Sequence, residues 1–307
     1  IKVQDGCRYR CTYCIVTVAR GEERSRPVTE VVDEINRLAG EGIREVVLAG
    51  VHLGGYGSDL GTDITHLVSG VLEGTRVPRV RLGSLEPWDI PPHFWDLFEN
   101  PRLMPHLHLP VQSGADSVLR RMSRRCRTGE FRTLAETARR RVPDLNITTD
   151  VIVGFPGETE DEFRQTLDFV DEIGFGHVHI FGFSPRDGTK AALLPGAVPD
   201  MIRRERSQRL HEQAAKVRTR VLAQQPGKSA TVLVETAETV NGRTRATGYT
   251  PNFLRTVIDA PAGALSENDL VEVELSTPRD DSVAASPRAG GPATVPHNSD
   301  SWSDLNE

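Results

Sequence analysis

Six short apolar runs, most of them followed by a segment with helical spacing, restrict this chain to one broad architecture. The runs are the chain start (Ile1, Val3) and residues 46–49, 80–83, 107–111, 147–153 and 178–183. Between the first two, Val28, Val31, Val32, Ile35 and Leu38 keep the helical period until Gly40 and Gly42 stop it. Further helical segments are expected at 64–73, 92–99, 115–141 (as two helices) and 160–172. The last is opened by the capping-box word Thr159-Glu160-Asp161-Glu162. Repeated strand-helix units build a parallel α/β sheet, because each right-handed crossover returns the chain to start the next strand in the same direction. Six units fall short of the eight that close a barrel. The expected fold is therefore an open six-stranded (βα)6 partial barrel, with a flat doubly wound sheet as the alternative. In either, ligands gather at the carboxyl ends of the strands.

The first of those ends carries the chemistry. Cys7, Cys11 and Cys14 stand in C-x3-C-x2-C spacing directly after the first run. Thiolates are soft donors suited to zinc or to an iron-sulfur cluster. A closed structural zinc site takes four ligands, and the remaining cysteine, Cys126, lies over a hundred residues away beside a run of arginines. Three thiolates on a cubane leave one iron open for a cofactor or substrate. A zinc site completed by a distant histidine is the competing reading. Two histidine pairs, His106 with His108 and His177 with His179, are two apart on strands, so each points to one face, as metal ligands do in hydrolase barrels. No matching carboxylate cluster is visible at the strand ends, so a second metal site is not expected there.

The 307 residues, 37% hydrophobic and 26% charged, suffice for one large core and a small second domain. No run approaches the ~18 apolar residues that span a bilayer, and no secretory signal pattern opens the chain. Few cysteines, three of them clustered, point to a reducing compartment, so the protein is expected to be cytoplasmic, without a membrane partner. A net charge of −6 argues against a generic basic nucleic-acid binder, and DNA is not an expected partner. The first residue is isoleucine, which reads as a fragment of a longer chain.

The core domain is expected over 1–225, ending in a long helix from 199 that Pro226-Gly227 stops. A small β-domain is expected over 226–277, with strands at 230–235 and 270–275 and a hairpin turn at Asn241-Gly242. Between those strands lie Arg243, Arg245, Tyr249, Phe253 and Arg255. Basic residues interleaved with aromatics on a small barrel of oligonucleotide-binding type suit RNA, since bases stack on rings while cations meet phosphates. A core-filling role for Tyr249 and Phe253 is the competing reading. From Thr277 onward Pro, Ser, Gly, Ala and Asp dominate, so 278–307 is expected to be a disordered tail.

Several words in the chain together resemble a known family. They are the cysteine loop with Tyr13 before its last cysteine, Ala19-Arg20-Gly21 with Ser25-Arg26-Pro27, His108-Leu109-Pro110-Val111-Gln112-Ser113-Gly114, the word from Asp150 to Thr159, and Phe183-Ser184-Pro185-Arg186-Asp187-Gly188-Thr189. In this order they look like the radical S-adenosylmethionine (SAM) methylthiotransferases, over residues 1 to about 275. Gly50-Val51-His52-Leu53-Gly54 with Tyr56-Gly57, and Gly248-Tyr249-Thr250 before Asn252-Phe253, resemble the branch acting on N6-threonylcarbamoyladenosine beside the tRNA anticodon.

The resemblance implies a 4Fe-4S cluster on Cys7, Cys11 and Cys14, SAM chelated at the open iron, and a deoxyadenosyl radical that leads to a methylthio group on C2 of the adenine. It implies tRNA as partner, with a reductant protein such as a flavodoxin or ferredoxin. The cysteines are then catalytic and metal-binding, and the cofactor pocket falls to Tyr13, Gly50, Ser84, Glu86, Gln112, Asp150, Val153 and Gly154. The small domain becomes a TRAM-like RNA binder through Arg243, Arg245, Tyr249, Phe253 and Arg255, and Arg186 is a candidate for a carboxylate or phosphate. Family members carry an additional amino-terminal domain holding a second 4Fe-4S cluster, which this sequence does not include. The alternatives are a shortened relative that binds RNA or cleaves SAM without inserting sulfur, and a methylthiotransferase of another adenosine or of a ribosomal protein. Thr17 stands where a proline is usual, and Cys126 where an aromatic is usual.

Overall fold

In the computed structural model, which describes residues 1–288, every apolar run becomes a strand. The chain divides into two compact units, Ile1–Val221 and the part from Leu222 onward. The first unit holds β1 (Lys2–Asp5), β2 (Arg24–Ser25), β3 (Glu45–Gly50), β4 (Arg79–Leu82), β5 (His106–His108), β6 (Asn146–Val153) and β7 (His177–Gly182). β1 pairs in parallel with β3 and β3 with β4, while β5, β6 and β7 form a second parallel set. Parallel bridges Val80 to Leu103 and Ser84 to His108 join the two sets. Six parallel strands in chain order, open at the ends, make the partial barrel that the strand count implied. β2 is an antiparallel addition to β1 that the sequence did not announce, being only two residues long.

The helices are α1 (Val16–Arg20), α2 (Val28–Gly40), α3 (Ile64–Gly74), α4 (Asp116–Arg121), α5 (Thr128–Arg141), α6 (Glu160–Ile173) and α7 (Asp200–Leu222). The segment Pro92–Glu99 forms 3-10 turns rather than an α-helix, seated by the buried rings of Phe94 and Trp95. Along β6, Ile147, Val151 and Val153 pack into one core with Phe163, Phe169 and Val170 of α6. Because side chains alternate along a strand, Thr148 and Asp150 face the other way, into the lumen of the barrel. His106 and His108 meet Thr148 there, and His179 meets His108.

The capping box at α6 forms as the sequence reads: the Glu162 amide donates to Thr159 Oγ1 (3.2 Å) and the Thr159 amide to Glu162 Oε2 (2.9 Å). Glu162 also accepts from Ser117 and twice from Arg121, tying α4 to α6. Burial works against ionisation of this carboxyl, but the hydrogen bonds from Arg121, Ser117 and the Thr159 amide outweigh it and hold it at about 2. Replacing Glu162 by Gln is expected to cost about 1–2 kcal/mol at pH 7. The folded-state pKa lies below the unfolded value of 4.5, so this stabilisation is complete above that value and is lost as pH falls toward 2. Urea denaturation of both proteins at pH 7 and pH 2.5 checks it; an equal penalty at both pH values contradicts the assignment.

The second unit is a closed five-stranded barrel of β8 (Ser229–Val240), β9 (Arg243–Tyr249), β10 (Arg255–Pro261), β11 (Leu270–Arg279) and β12 (Ser282–Pro287), in the order β10-β12-β11-β8-β9. Asn241 and Gly242 both take positive φ, 54° and 76°, as the tight turn between β8 and β9 requires. One expectation is corrected here. Residues 278–288, assigned on composition to a disordered tail, complete β11 and supply β12, which pairs with β10 through Val257 and Ala284 and with β11 through Leu275 and Ala285. Val283, Ala284 and Ala285 are buried. So short an apolar run among Asp, Ser and Pro is no strand by itself; it becomes one because β10 and β11 each leave an edge to fill. The rest of that expectation, 289–307, lies outside the described residues.

Candidate functional site

The loop after β1 is fixed by the protein itself. Gly6 opens it at φ 77°, and a Cβ there would lie 1.9 Å from the Glu22 carbonyl oxygen, so only glycine fits. The Cys7 amide donates to Gly21 O and the Cys14 amide to Cys11 O, both at 3.1 Å. Thr17, where the resemblance expects proline, donates its hydroxyl to Tyr9 O (2.7 Å) and clamps the loop in that way. Thr12 docks the loop on the end of α4, donating Oγ1 to Arg121 O (2.9 Å) and its amide to Met122 O (3.0 Å). The Ala191 amide, from the segment after β7, donates to Thr12 O at 2.8 Å. The cysteines therefore lie at the carboxyl-end mouth of the barrel.

All three are free thiols, neither fully buried nor fully exposed. Burial pushes the Cys7 thiol up to about 11, with Cys11, Glu23 and Cys14 adding to the shift, and raises Cys11 against the pull of Arg124. Loading a metal here thus expels protons. Three thiols on one short loop at a strand end, each partly open to solvent, are the kind of donor set that a 4Fe-4S centre with one open iron takes. Cys126 is no fourth donor: its thiol donates to Arg127 O at 3.3 Å, and burial pushes it up to about 12.

The expected cofactor residues distribute unevenly. Gly50 ends β3 against Gln4, whose Oε1 would be 3.0 Å from a Cβ at that position. The same buried Gln4 accepts from the His52 amide and donates to Asp5 O and Gly6 O, so Gly50 and the entry to the cysteine loop share one support. Gln112 follows β5 in the left-handed region (φ 75°), a costly conformation for a side-chain-bearing residue, and pairs with β6 through Asp150 O and the Ile152 amide. Ser84 is exposed beside His108. Gly154 takes φ 72°, and a Cβ there would meet Arg203 Cγ at 2.9 Å. Tyr13 packs on the small apolar cluster of Ala115, Val118, Met122, Phe155 and Ala191, and burial pushes its phenol up. Two placements differ from expectation. The Val153 side chain is fully buried in the core, so only its backbone reaches the mouth. Asp150 lies below the strand end, in the lumen, 3.2 Å from His108 Nε2. The Arg186 side chain is exposed, and its carbonyl closes the turn to Thr189.

Three groups the sequence reading did not single out complete the site. Arg124 is buried, donates to Glu86 Oε2 (2.6 Å) and Pro110 O, lies over the Trp88 ring at 4.4 Å, and sets Nη1 4.0 Å from Cys11 Sγ. A fixed positive charge thus sits between the cysteine loop and Glu86. Glu158 is buried under the mouth, accepting from the Gly154 amide (2.8 Å) and Arg206 Nη1 (2.9 Å). His52 bridges Glu23 (2.5 Å) and Asp89 (2.7 Å), and Tyr9 donates to the same Asp89. Burial alone would lower the His52 pKa; the two carboxylates outweigh it and raise it. This bridge clamps the Arg8-Tyr9 side of the loop.

In the small barrel, Arg243, Arg245 and Tyr249 alternate outward along β9, with Thr244, Ala246 and Gly248 turned in. Tyr249 and Phe253 stack at 4.6 Å and 18°, and Arg255 pairs with Asp281. The rings do not fill the core, which is made by Val232, Val234, Ala246, Ile258, Val271, Val273 and Val283. Acidic Glu235, Glu238 and Asp280 border the same surface as Arg245 and Tyr249. No helix among the described residues is long and apolar enough to cross a membrane.

Fold and site together define a parallel partial-barrel enzyme core built around a three-cysteine loop. A family model for the radical SAM superfamily matches residues 1–170. The chain belongs to that superfamily. It is 44% identical over 240 residues to the threonylcarbamoyladenosine tRNA methylthiotransferase MtaB of Thermotoga maritima, covering 76% of this chain and 55% of the relative. It is 37% identical over 279 residues to a tRNA-2-methylthio-N(6)-dimethylallyladenosine synthase of Staphylococcus aureus, covering 90% of this chain and 54% of the relative. The chain spans about half the length of these curated relatives. Among solved structures it is similar in fold to the radical SAM methyltransferase TsrM of Kitasatospora setae (TM-score 0.53, 18% identity, 62% of this chain and 38% of that one). The coproporphyrinogen III oxidase HemN of Escherichia coli is similar to the same degree (TM-score 0.52, 14% identity, 78% and 64%).

Proposed function

We propose that this chain is the SAM-cleaving and RNA-contacting part of a tRNA methylthiotransferase that acts at C2 of N6-threonylcarbamoyladenosine. The observation that carries the reading is the set of three free cysteines on one loop after β1, clamped at the barrel mouth through Thr12 and Thr17. Cys7, Cys11 and Cys14 would hold a 4Fe-4S cluster, which would supply the electron for reductive cleavage of SAM. The chain's own residues then hold and shield. Gly50 and Gly154 let Gln4 and Arg203 pack closely on two strand ends, and Gln112 and Glu86 offer polar groups at two others. Arg124 orients Glu86, and Tyr13 with Phe155 excludes water beneath the loop. Arg243, Arg245, Arg255 and the Tyr249-Phe253 stack serve as the tRNA contact of the small barrel. An external reductant protein such as a flavodoxin or ferredoxin delivers the electron, and the setting is the cytoplasm.

The threonylcarbamoyl branch is favoured over the dimethylallyl branch by the higher identity of its relative. Mass spectrometry of tRNA nucleosides from a strain lacking the gene tests this. The methylthio derivative of threonylcarbamoyladenosine is expected to vanish, with its unmodified precursor accumulating. Loss confined to the dimethylallyl derivative assigns the other branch, and an unchanged nucleoside profile overturns the reading.

A further inference from the structure

The sequence offered two histidine pairs on strands but no carboxylate to join them, and the strand register supplies one. Asp150 stands opposite His179 across β6 and β7, and His108 stands opposite Thr148, one step lower, across β5 and β6. Nε2 of His108 lies 3.2 Å from Oδ1 of Asp150. The His108 and His179 rings meet edge-on at 5.5 Å. One donor atom from each of the three residues lies within 4.8 Å of the other two. We propose that His108, Asp150 and His179 bind a single divalent transition-metal ion of zinc or iron(II) type in the barrel lumen, separate from the cysteine loop.

The geometry supports this on four counts. Donors bound at about 2.0–2.2 Å around one ion sit about 3.3 Å apart, and the His108–Asp150 edge already has that length. The second nitrogen of His108 is held, with Nδ1 2.9 Å from Thr148 Oγ1, the kind of outer contact that fixes a ligating imidazole. Asp150 is available: it pairs with no arginine among the described residues, whereas Glu45 is taken up by Arg79 and Arg81. The neighbouring His177 is engaged at Nδ1 by Arg218 (2.8 Å), which leaves the three-residue set distinct from it. The site is also reachable. His179 is exposed, and the His108 and Asp150 side chains keep 14% and 24% of their surface open. Two imidazoles and one carboxylate leave further positions for solvent or for a ligand in the lumen.

The test is metal analysis of the full chain, carrying its reconstituted cluster so that the thiolates are occupied, after dialysis against zinc(II) alone. About one zinc per chain is expected to remain, and the same count in full chain with Cys7, Cys11 and Cys14 changed to Ser. His179→Ala, at an exposed position, and His108→Ala should each lower retained zinc more than about 10-fold, with Asp150→Asn doing the same. Thr148→Val, a positioning change, should weaken zinc binding about 10- to 100-fold while the folded far-ultraviolet signal stays unchanged. Wild-type chain that retains no zinc reduces the three-residue group to a His108–Asp150 contact only and overturns the proposal. So does zinc that persists in the His108→Ala, His179→Ala double variant. Because the serine-substituted chain needs no iron-sulfur cluster, failure here is distinguishable from failure of the radical SAM reading.

Discussion

Cys11→Ala protein, reconstituted anaerobically with iron and sulfide and then reduced, is expected to release no deoxyadenosine from SAM, a loss of at least about 10³-fold. Cys11 is the most instructive of the three positions because its surroundings are the most completely built. Burial raises its thiol, and Arg124 opposes the shift from 4.0 Å. Removing the sulfur therefore removes a donor without removing the clamps on the loop, which run through Thr12, Thr17 and the backbone amides of Cys7 and Cys14. The variant should fold with an unchanged far-ultraviolet spectrum and fail to develop the brown absorbance of the cluster. Cleavage of SAM at wild-type rate by this variant would mean that the loop is not the cofactor site.

Glu158→Met is expected to be the most damaging single change to stability, at about 3–5 kcal/mol. Both partners of the Glu158–Arg206 pair are almost wholly buried, at 1% and 6% side-chain exposure. Burial raises the Glu158 carboxyl, and the Gly154 amide and Arg206 offset this in part. Such a pair adds little net stability, yet losing Glu158 leaves the buried Arg206 charge with only the more distant Glu160 carboxylate (3.6 Å) and the backbone carbonyl of residue 158. The double variant Glu158→Met, Arg206→Met should recover most of the loss, which thermal or urea denaturation of the three variants reads directly. Additive losses in the double variant would show that the pair is not coupled. The single variant should also bind SAM more weakly, because the Gly154 turn at the mouth loses the carboxylate that anchors its amide.

The strands, the helices and their order were legible because they depend on local terms. The capping box at Thr159 and Glu162, the Asn241-Gly242 turn, and the alternation of apolar runs with helical periods each act within a few residues. The cysteine loop was legible for the same reason, as three donors within eight positions. What could not be read depends on register and on side-chain direction between distant segments. Nothing in the run Arg124-Arg125-Cys126-Arg127 says that Arg124 is the one that turns inward to Glu86 and Cys11. The buried bridge of His52 between Glu23 and Asp89 joins three loops. β12 exists only because two strand edges await it.

The sequence by itself therefore determined the cysteine triplet, its place after the first strand, the parallel order of six strands and the presence of a small second barrel. All of these follow from spacing and period along one stretch of chain. The tertiary structure decided which charged groups share a space: Arg124 with Glu86, Glu158 with Arg206 and Gly154, and His108 with Asp150 and His179. Those pairings rest on which residues of neighbouring strands stand level and which long side chains find a partner to justify their burial. Both are settled only when the strands and helices are packed in register beside one another.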